Sequence, residues 1–220
     1  MDIAAKVIEV DLTETSAAMV RFFHDNGKKV VCYINAGAWE EYRPDARDFP
    51  ADVIGNAYDG WEGEFWLDIN RYEEFAHLIS ARFDLAASKG CDGVDADNIN
   101  GFQQDTGFDI SFDDQVVYNL WIASLAHARG MSIGLKNNHS QLDELIEVFD
   151  FAVIEDCAVF GECGNYAPFI QQGKAVFQIE YTDRFDSAAA FCGQSRQNGY
   201  SAILKNRSLD AWVEPCGYDY

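Results

Sequence analysis

Apolar runs that end on polar residues recur along the chain, and each run has the length of a β-strand. Eight such runs are VIEVDL, KVVCYIN, FWLDI, GVDADN, SIGLK, FAVIED, AVFQIE and SAILK. The polar residues at their ends are Asp11, Asn35, Asp68, Asp95, Asp97, Lys136, Glu155, Glu180 and Lys205. Continuous apolar runs of this kind are typical of buried strands in a parallel sheet.

Segments with helical spacing of apolar residues separate these runs. They predict helices over about 14–26, 71–89, 113–129, 140–148, 165–172 and 184–198. Five of the helices end on a glycine that a strand follows at once, and glycine there tolerates the left-handed conformation that closes a helix. Alternation of strand and helix predicts βαβ units. With eight strands, we predict an α/β fold, a (β/α)8 TIM barrel that forms a single domain over residues 1–220.

The ends of the runs also predict where the chemistry occurs, because the carboxyl ends of barrel strands converge on one mouth that holds the catalytic groups. Asp95 and Asp97 face the same side of their strand. Two carboxylates there repel each other unless a cation, a shared proton or a donor such as Asn98 intervenes. This cost favours a functional pair; in the alternative, one aspartate caps a turn and the other faces solvent.

Glu155 is the second candidate acid, since it directly follows the apolar run AVI. Its neighbour Asp156 is expected to point to the opposite side and to have a structural role. Two acids across a sugar-sized cleft are what glycoside hydrolysis needs. Lys136 would orient or neutralise such acids. A ring of acids disfavours the neutral amine of a Schiff-base lysine.

Further candidates lie at other strand ends and in two long segments, 36–64 and 98–111. Aromatic side chains at a barrel mouth suit the apolar faces of sugar rings, although each could instead pack within a lid over the barrel. The candidate substrate-binding residues are Tyr33, Trp39, Trp66, Asp68, Asp95, Asn98, Lys136 and Glu180.

The composition of the chain limits the classes of molecule that it is expected to bind. The 220 residues, 48% of them hydrophobic, can form one full core. Sixteen basic and 37 acidic residues give a formal net charge of −21. This charge disfavours nucleic acid and anionic lipid and attracts cations, including a polycationic substrate, or it serves solubility alone. No run approaches the roughly 20 apolar residues of a membrane span. We expect a monomer.

Six cysteines suggest an oxidising compartment, and six thiols allow 15 pairings. Three pairs are plausible by position: Cys157 with Cys163, Cys192 with Cys216, and Cys32 with Cys91. The last pair would meet inside the barrel because alternate strands share interior layers. No Cys/His spacing suggests zinc, and no nucleotide motif occurs, so we predict neither metal nor cofactor. The first residues, MDIAAKVIEVDL, are not expected to form a signal peptide, and we expect a secreted mature domain.

Several motifs in order resemble glycoside hydrolase family 114. They are VVCYINAGAWEEYRPDARDFP, GWEGEFWLDI, KGCDGVDADNINGF, GLKNN, VIEDC followed by EC, and GKAVFQIEY. The resemblance extends from about residue 7 to residue 216. Members often have Glu-Pro-Asp-Asn where this chain has Asp95-Ala96-Asp97-Asn98, which withdraws one carboxylate from the cleft by about a methylene group.

The resemblance implies an endo-α-1,4-polygalactosaminidase, a (β/α)8 glycosidase that degrades galactosamine and N-acetylgalactosamine polymers of microbial biofilm matrices. It implies Asp97 as nucleophile and Glu155 as acid/base. A partly deacetylated galactosaminoglycan is cationic, which would match the negative charge of the chain.

Two other functions remain compatible with the residues. One is a magnesium-dependent barrel enzyme with ligands from Asp68, Asp95 or Asp97, and Glu155, because oxygen ligands suit a hard cation. The other is a carbohydrate-binding barrel without catalytic activity. The sequence leaves open whether hydrolysis retains or inverts the anomeric configuration.

Overall fold

The computed structural model of the protein describes residues 5–217. Contacts within the chain group it into two compact units, Met1–Val148 and Phe149–Tyr220. They are called the first and the second unit below. That the whole chain is one domain stays a prediction.

The described part of the first unit contains seven strands. They are β1 (Val7–Asp11), β2 (Lys29–Asn35), β3 (Ala38–Glu40), β4 (Ile54–Ala57), β5 (Glu64–Leu67), β6 (Gly93–Asp97) and β7 (Ser132–Lys136). Four of them pair in parallel: β1 with β2, β2 with β6, and β6 with β7. Val30 of β2, Val94 of β6 and Ile133 of β7 have no exposed surface. The predicted continuous apolar runs are therefore buried parallel strands.

Helices follow the parallel strands of this unit. They are α1 (Ala17–Asp25), α2 (Ala76–Lys89), α3 (Phe112–His127) and α4 (Leu142–Leu145). Ser16 and Ser111 cap the amino ends of α1 and α3 with side-chain hydrogen bonds. Gly90 ends α2 with φ at 89°, as the sequence predicts. The helix predicted over 140–148 is shorter, because a 3-10 turn at His139–Gln141 precedes α4.

One predicted strand of the barrel belongs to a different sheet. The FWLDI run forms β5, but β5 pairs antiparallel with β3 and with β4 in a separate three-stranded sheet. As a result β2 pairs directly with β6. The assignment of FWLDI to the parallel sheet is wrong because strand propensity carries no information about the pairing partner. The segment 36–64, expected to be a long loop, contributes all of β3 and β4.

The second unit repeats the alternation of strand and helix. Its described elements are β8 (Phe151–Glu155), α5 (Cys157–Phe160), α6 (Ala167–Gln171), β9 (Ala175–Tyr181), α7 (Ala189–Asn198), β10 (Ser201–Lys205) and β11 (Val213–Pro215). β8, β9 and β10 are parallel, and β11 adds antiparallel to β10. Phe191 of α7 packs with Ala202 and Leu204 of β10 in a buried cluster. β11 lies outside the predicted runs.

The three cysteine pairs that are plausible by position all form disulfides. They are Cys32–Cys91, Cys157–Cys163 and Cys192–Cys216. The reason given for the first pair is wrong: Cys32 lies on β2 and Cys91 precedes β6, and these strands are neighbours rather than alternate strands. Within residues 5–217, none of the helices has the length and apolar character needed to cross a membrane.

Candidate active site

The carboxyl end of β6 holds the two predicted aspartates on one side of the strand. Asp95 is fully buried, whereas the Asp97 side chain is 21% exposed. Lys136, at the end of the neighbouring β7, lies between them: its Nζ is 3.2 Å from Asp95 Oδ2 and 3.3 Å from Asp97 Oδ1. A cation therefore compensates the repulsion between the two carboxylates, as one of the predicted solutions requires.

Tyr33 of β2 completes this cluster. Its hydroxyl group donates to Asp97 Oδ2 at 3.1 Å, and its ring lies 5.7 Å from Lys136 Nζ. Burial, followed by the negative charge of Asp97, raises the pKa of the Tyr33 phenol well above its usual value. The phenol therefore stays protonated and remains a donor. Tyr33, Asp95, Asp97 and Lys136 are called the Asp97 cluster below.

Asn98 supports the same strand end through a tight contact between loops. Its backbone is left-handed, with φ at 62°, and its side-chain Nδ2 donates to Asn35 Oδ1 at 3.1 Å. A Cβ atom at Gly37 would come within 1.7 Å of the Asn98 carbonyl oxygen. The chain therefore needs glycine at position 37 so that the turn after β2 can pack against the turn after Asp97.

A second group of acids lies next to the Asp97 cluster, and the sequence reasoning did not find it. Glu40 and Glu64 are 1% and 6% exposed. Arg43 donates to both oxygens of Glu40, and the hydroxyl group of Tyr42 contacts both glutamates. These residues lie on β3, on β5 and in the turn after β3. The sequence signal for them was the acids within the segments AWEEYR and EGEFWLD. Only the register of β3 on β5 shows that Glu40 and Glu64 lie opposite each other.

Three predicted binding residues lie in or beside the antiparallel sheet, away from the direct contacts of the Asp97 cluster. Trp39 Nε1 donates to the Ala46 carbonyl oxygen at 2.8 Å. Trp66 is 5% exposed and packs on Tyr58, and it lines a cleft of about 470 Å³ that Asp59 and Asp105 also line.

Asp68 caps a 3-10 helix by accepting from the Asn70 backbone N–H at 3.2 Å. Burial raises its pKa. These contacts give Asp68 a local structural role, and its part in substrate binding stays a prediction, as do those of Trp39 and Trp66.

Glu155 ends β8 in the second unit, where the Tyr181 hydroxyl group donates to its Oε1. Arg207 packs over the Tyr181 ring at 3.8 Å and pairs with Asp156 at 2.8 Å. Asp156 adopts a left-handed backbone conformation with φ at 55°, and its structural role stays a prediction that this pairing supports. Glu155 thus contacts a phenol that a guanidinium group holds in place.

Glu180 of β9 is fully buried, and its Oε1 accepts from the Ala158 backbone N–H at 2.9 Å and from Gln178 Nε2 at 2.8 Å. Burial raises its pKa. A side chain without exposed surface does not reach a ligand in this conformation, so its predicted binding role finds no support in the geometry. Glu180 also lies near Cys157 and Cys163, but both sulfurs are in a disulfide and cannot act as thiolate ligands.

Asp97 and Glu155 each end a parallel strand of their own unit and each accept a hydrogen bond from a tyrosine, on a fold whose catalytic groups lie at strand ends. Carboxylate chemistry of this kind is that of the glycosidases. The chain belongs to glycoside-hydrolase family GH114, whose family model matches residues 1–220. The protein is therefore a glycosidase.

Solved structures agree with this assignment. The crystal structure of Aspergillus fumigatus Ega3 in complex with galactosamine is similar with 36% sequence identity and a TM-score of 0.92, covering 97% of this chain and 89% of that chain. The glycoside hydrolase domain of PelA from Pseudomonas aeruginosa has 17% identity and a TM-score of 0.72, covering 96% and 91%. No curated protein sequence matches significantly.

The fold class is also found in a more distant structure. A D-psicose 3-epimerase from Clostridium cellulolyticum H10, solved with D-tagatose, matches with 9% identity and a TM-score of 0.52, covering 92% of this chain and 75% of that chain. These similarities confirm the predicted (β/α)8 barrel class.

Proposed function

We propose that this glycosidase cleaves α-1,4-linked galactosamine and N-acetylgalactosamine polymers of microbial exopolysaccharide. The observation that carries the proposal is the 36% identity over 97% of the chain to Ega3, whose structure contains galactosamine. The acidic composition fits this substrate, because a partly deacetylated polymer is cationic at neutral pH.

We assign Asp97 as nucleophile and Glu155 as acid/base. Lys136 and Tyr33 hold the Asp97 carboxylate by an ion pair and a hydrogen bond. In the first step Glu155 donates its proton to the glycosidic oxygen, the bond from that oxygen to the anomeric carbon breaks, and Asp97 forms a bond to that carbon. In the second step water attacks the same carbon, Glu155 takes the proton from water, and Asp97 is released.

This assignment predicts retention of configuration. The first product observed by proton NMR should be the α-anomer. A β-anomer as first product would reassign Asp97 as the general base that activates water.

The test of the substrate is mass spectrometry of products from galactosaminoglycan chains of defined acetylation. Internal cleavage that yields a ladder of oligosaccharides supports the proposal, with the Asp97→Asn variant as control. Absence of products from every chain would refute the substrate assignment.

The salt dependence of the reaction tests whether the negative charge of the enzyme attracts the cationic polymer. The kcat/KM for the deacetylated polymer should fall as salt rises, because salt screens attraction between exposed charges. The value for the fully acetylated polymer should stay nearly constant. If salt changed kcat/KM equally for both substrates, the negative charge would serve solubility and not substrate binding.

Secretion is part of the same proposal, since three disulfides fit an oxidising compartment. We further propose that the enzyme acts as a monomer without a metal. Full activity after exhaustive chelation would exclude the magnesium-dependent alternative, whereas activity restored by magnesium alone would support it.

A further inference from the structure

Two buried acids face each other directly in the antiparallel sheet. Glu40 of β3 and Glu64 of β5 are register partners, and both side chains are almost fully buried. Like charges at directly opposed positions destabilise a strand pair, and burial increases the cost of an uncompensated charge. The pair therefore requires a cation for each acid or a proton on one of them.

The cation nearby is used by Glu40. Arg43 Nε lies 2.6 Å from Glu40 Oε2 and Nη2 lies 2.8 Å from Glu40 Oε1. The remaining nitrogen, Nη1, pairs with Asp11 at 2.7 Å. Glu64 instead contacts neutral groups among residues 5–217: Asn35 Nδ2 donates to its Oε2 at 3.3 Å, and the Tyr42 hydroxyl group lies 3.0 Å from its Oε1.

The hydroxyl group of Tyr42 has one proton and two carboxyl neighbours. Its oxygen is 2.8 Å from Glu40 Oε1 and 3.0 Å from Glu64 Oε1. With both glutamates ionised, one of these contacts would join two oxygens without a proton. If Glu64 is protonated, its Oε1–H donates to Tyr42, and Tyr42 donates to Glu40. This arrangement satisfies both contacts.

Glu64 is also linked to the candidate nucleophile through Asn35. Asn35 on β2 is the register partner of Asp97 on β6. Its Oδ1 accepts from the Ala38 backbone N–H at 2.8 Å and from Asn98 Nδ2 at 3.1 Å. Its Nδ2 is the group that donates to Glu64. The Glu64 carboxyl group therefore fixes the amide that holds the turn directly after Asp97.

We propose that Glu64 is a positioning residue that is protonated in the active enzyme. As a neutral carboxyl group it orients Asn35 beside Asp97 and keeps an additional negative charge away from the nucleophile. The charged and titratable groups around it are Glu40 from β3, Tyr42 and Arg43 from the turn after β3, Asp11 from β1, Asp97 from β6, and, beside Asp97, Tyr33 and Lys136. The proposal rests on the proposed role of Asp97.

The charges in this region make the proton of Glu64 sensitive to pH near neutrality. Burial raises the pKa of Glu64 from 4.5 to about 7; the charges of Glu40 and Asp97 act in the same direction, while the Tyr42 hydrogen bond and Arg43 oppose them. Above that pH the lost proton leaves Glu40 and Glu64 as two buried anions opposite each other, and the charge of Glu64 acts on Asp97 as well. Activity should therefore decline on the alkaline side.

The first experiment needs no substrate. Urea denaturation midpoints are compared for the unmodified enzyme, Glu64→Gln and the exposed control Glu62→Gln from about pH 5 to about pH 8. A raised pKa in the folded state adds stability at low pH that is lost as pH rises through it. The midpoint of the unmodified enzyme and of the control should fall relative to that of Glu64→Gln. Parallel pH curves for all three proteins would overturn the protonation of Glu64.

The second experiment measures kcat and KM against pH on the polymer. Glutamine mimics a protonated glutamate, so Glu64→Gln should keep kcat within about threefold at pH 6 and should lose the alkaline decline. Glu64→Ala should lower kcat by roughly 10- to 100-fold with KM nearly unchanged, because the Asn35 amide loses its acceptor. Full kcat in Glu64→Ala, or an unchanged alkaline decline in Glu64→Gln, would overturn the positioning role.

The two experiments distinguish a failure of the proposed polysaccharide hydrolysis from a failure of the proposed protonation of Glu64. Lack of activity in the unmodified enzyme on every polymer would refute the proposed function, while the denaturation curves would still decide whether Glu64 carries a proton.

Discussion

The surroundings of Asp97 and Glu155 differ in kind, although both residues end a buried parallel strand. Around Asp97, a lysine and a phenol contact the carboxylate directly, at 3.3 Å and 3.1 Å. A second aspartate, Asp95, shares the same lysine. The carboxylate of Asp97 is thus held by a direct ion pair within a group of acids.

Around Glu155, the hydroxyl group of Tyr181 donates to the carboxyl group, and a guanidinium group packs on the ring of that tyrosine. Arg207 pairs with Asp156 and Asp183 and packs over the ring of Tyr181. The guanidinium group therefore holds the tyrosine that contacts Glu155.

This difference gives a physical reason for two different roles. A carboxylate held by both a cation and a phenol is fixed in position for attack on the anomeric carbon. A carboxyl group that accepts from a phenol can give a proton to the leaving oxygen and later take one from water. In enzymes that use two carboxyl groups, such differences in environment separate the acid from the nucleophile.

The strongest test of this separation compares the two amide variants. Asp97→Asn should lower kcat/KM by about 10⁴-fold on all substrates, because the nucleophile is lost. Glu155→Gln should cost about 10³-fold on the polymer and far less on an aryl galactosaminide, since a good leaving group needs no proton. The measurement is initial-rate kinetics with both substrates, and the exposed variant Glu144→Gln serves as control. Equal losses on both substrates in both variants would contradict the separation of roles.

The second test removes the cation of the Asp97 cluster. Lys136→Met leaves two carboxylates without their ion pair, and breaking a buried pair in this way costs about 3 kcal/mol of stability. Activity should fall by roughly 100-fold. Urea denaturation should show that the double variant Lys136→Met/Asp95→Asn regains at least half of the lost stability. No recovery in the double variant would mean that Lys136 acts mainly through packing.

Much of the fold was predictable because buried parallel strands, and the glycines that end the helices between them, leave local signals in the sequence. Gly27, Gly90, Gly130, Gly173 and Gly199 all adopt positive φ, as the ends of the predicted helices require. The pairing of β5 was not predictable, since strand pairing depends on residues that are distant in sequence. The run FWLDI has the same local character whichever sheet it joins.

The candidate site was predictable to a similar extent. The contact of Lys136 with Asp95 and Asp97 follows from strand alternation and from the order of parallel strands. The opposition of Glu40 and Glu64 required the register of β3 on β5. The burial of Glu180 was missed because a strand end gives no indication of which neighbouring segment covers it, here α5 through the Ala158 backbone N–H.

A matched pair of tyrosine variants sharpens the comparison. Tyr33→Phe and Tyr181→Phe each remove one hydrogen bond to a candidate catalytic carboxyl group, so each should lower kcat by about 10-fold. Tyr33→Phe should have almost no further effect in the Asp97→Asn background and its full effect in the Glu155→Gln background. Tyr181→Phe should show the reverse pattern. Full additivity in all four double variants, measured as kcat/KM, would show that neither hydroxyl group acts through its carboxyl partner.

The smallest expected effect concerns Glu180. This buried acid lies on β9, directly after Ile179, the register partner of Glu155. Its Oε2 is buried without a hydrogen-bond partner among the described residues, and burial raises its pKa. Its contribution to stability is therefore present below its unfolded pKa of about 4.5 and is lost as pH rises through the higher folded value. Glu180→Gln should raise the free energy of unfolding at pH 7 by on the order of 1 kcal/mol.

The stability of Glu180→Gln should also vary less with pH than that of the exposed control Asp186→Asn, as followed by urea denaturation. A lower stability at pH 7 would show that the Glu180 carboxylate is compensated in the folded enzyme. The same variant tests the role predicted from the sequence, because a substrate-binding Glu180 would make KM for the polymer rise while the fold stays intact.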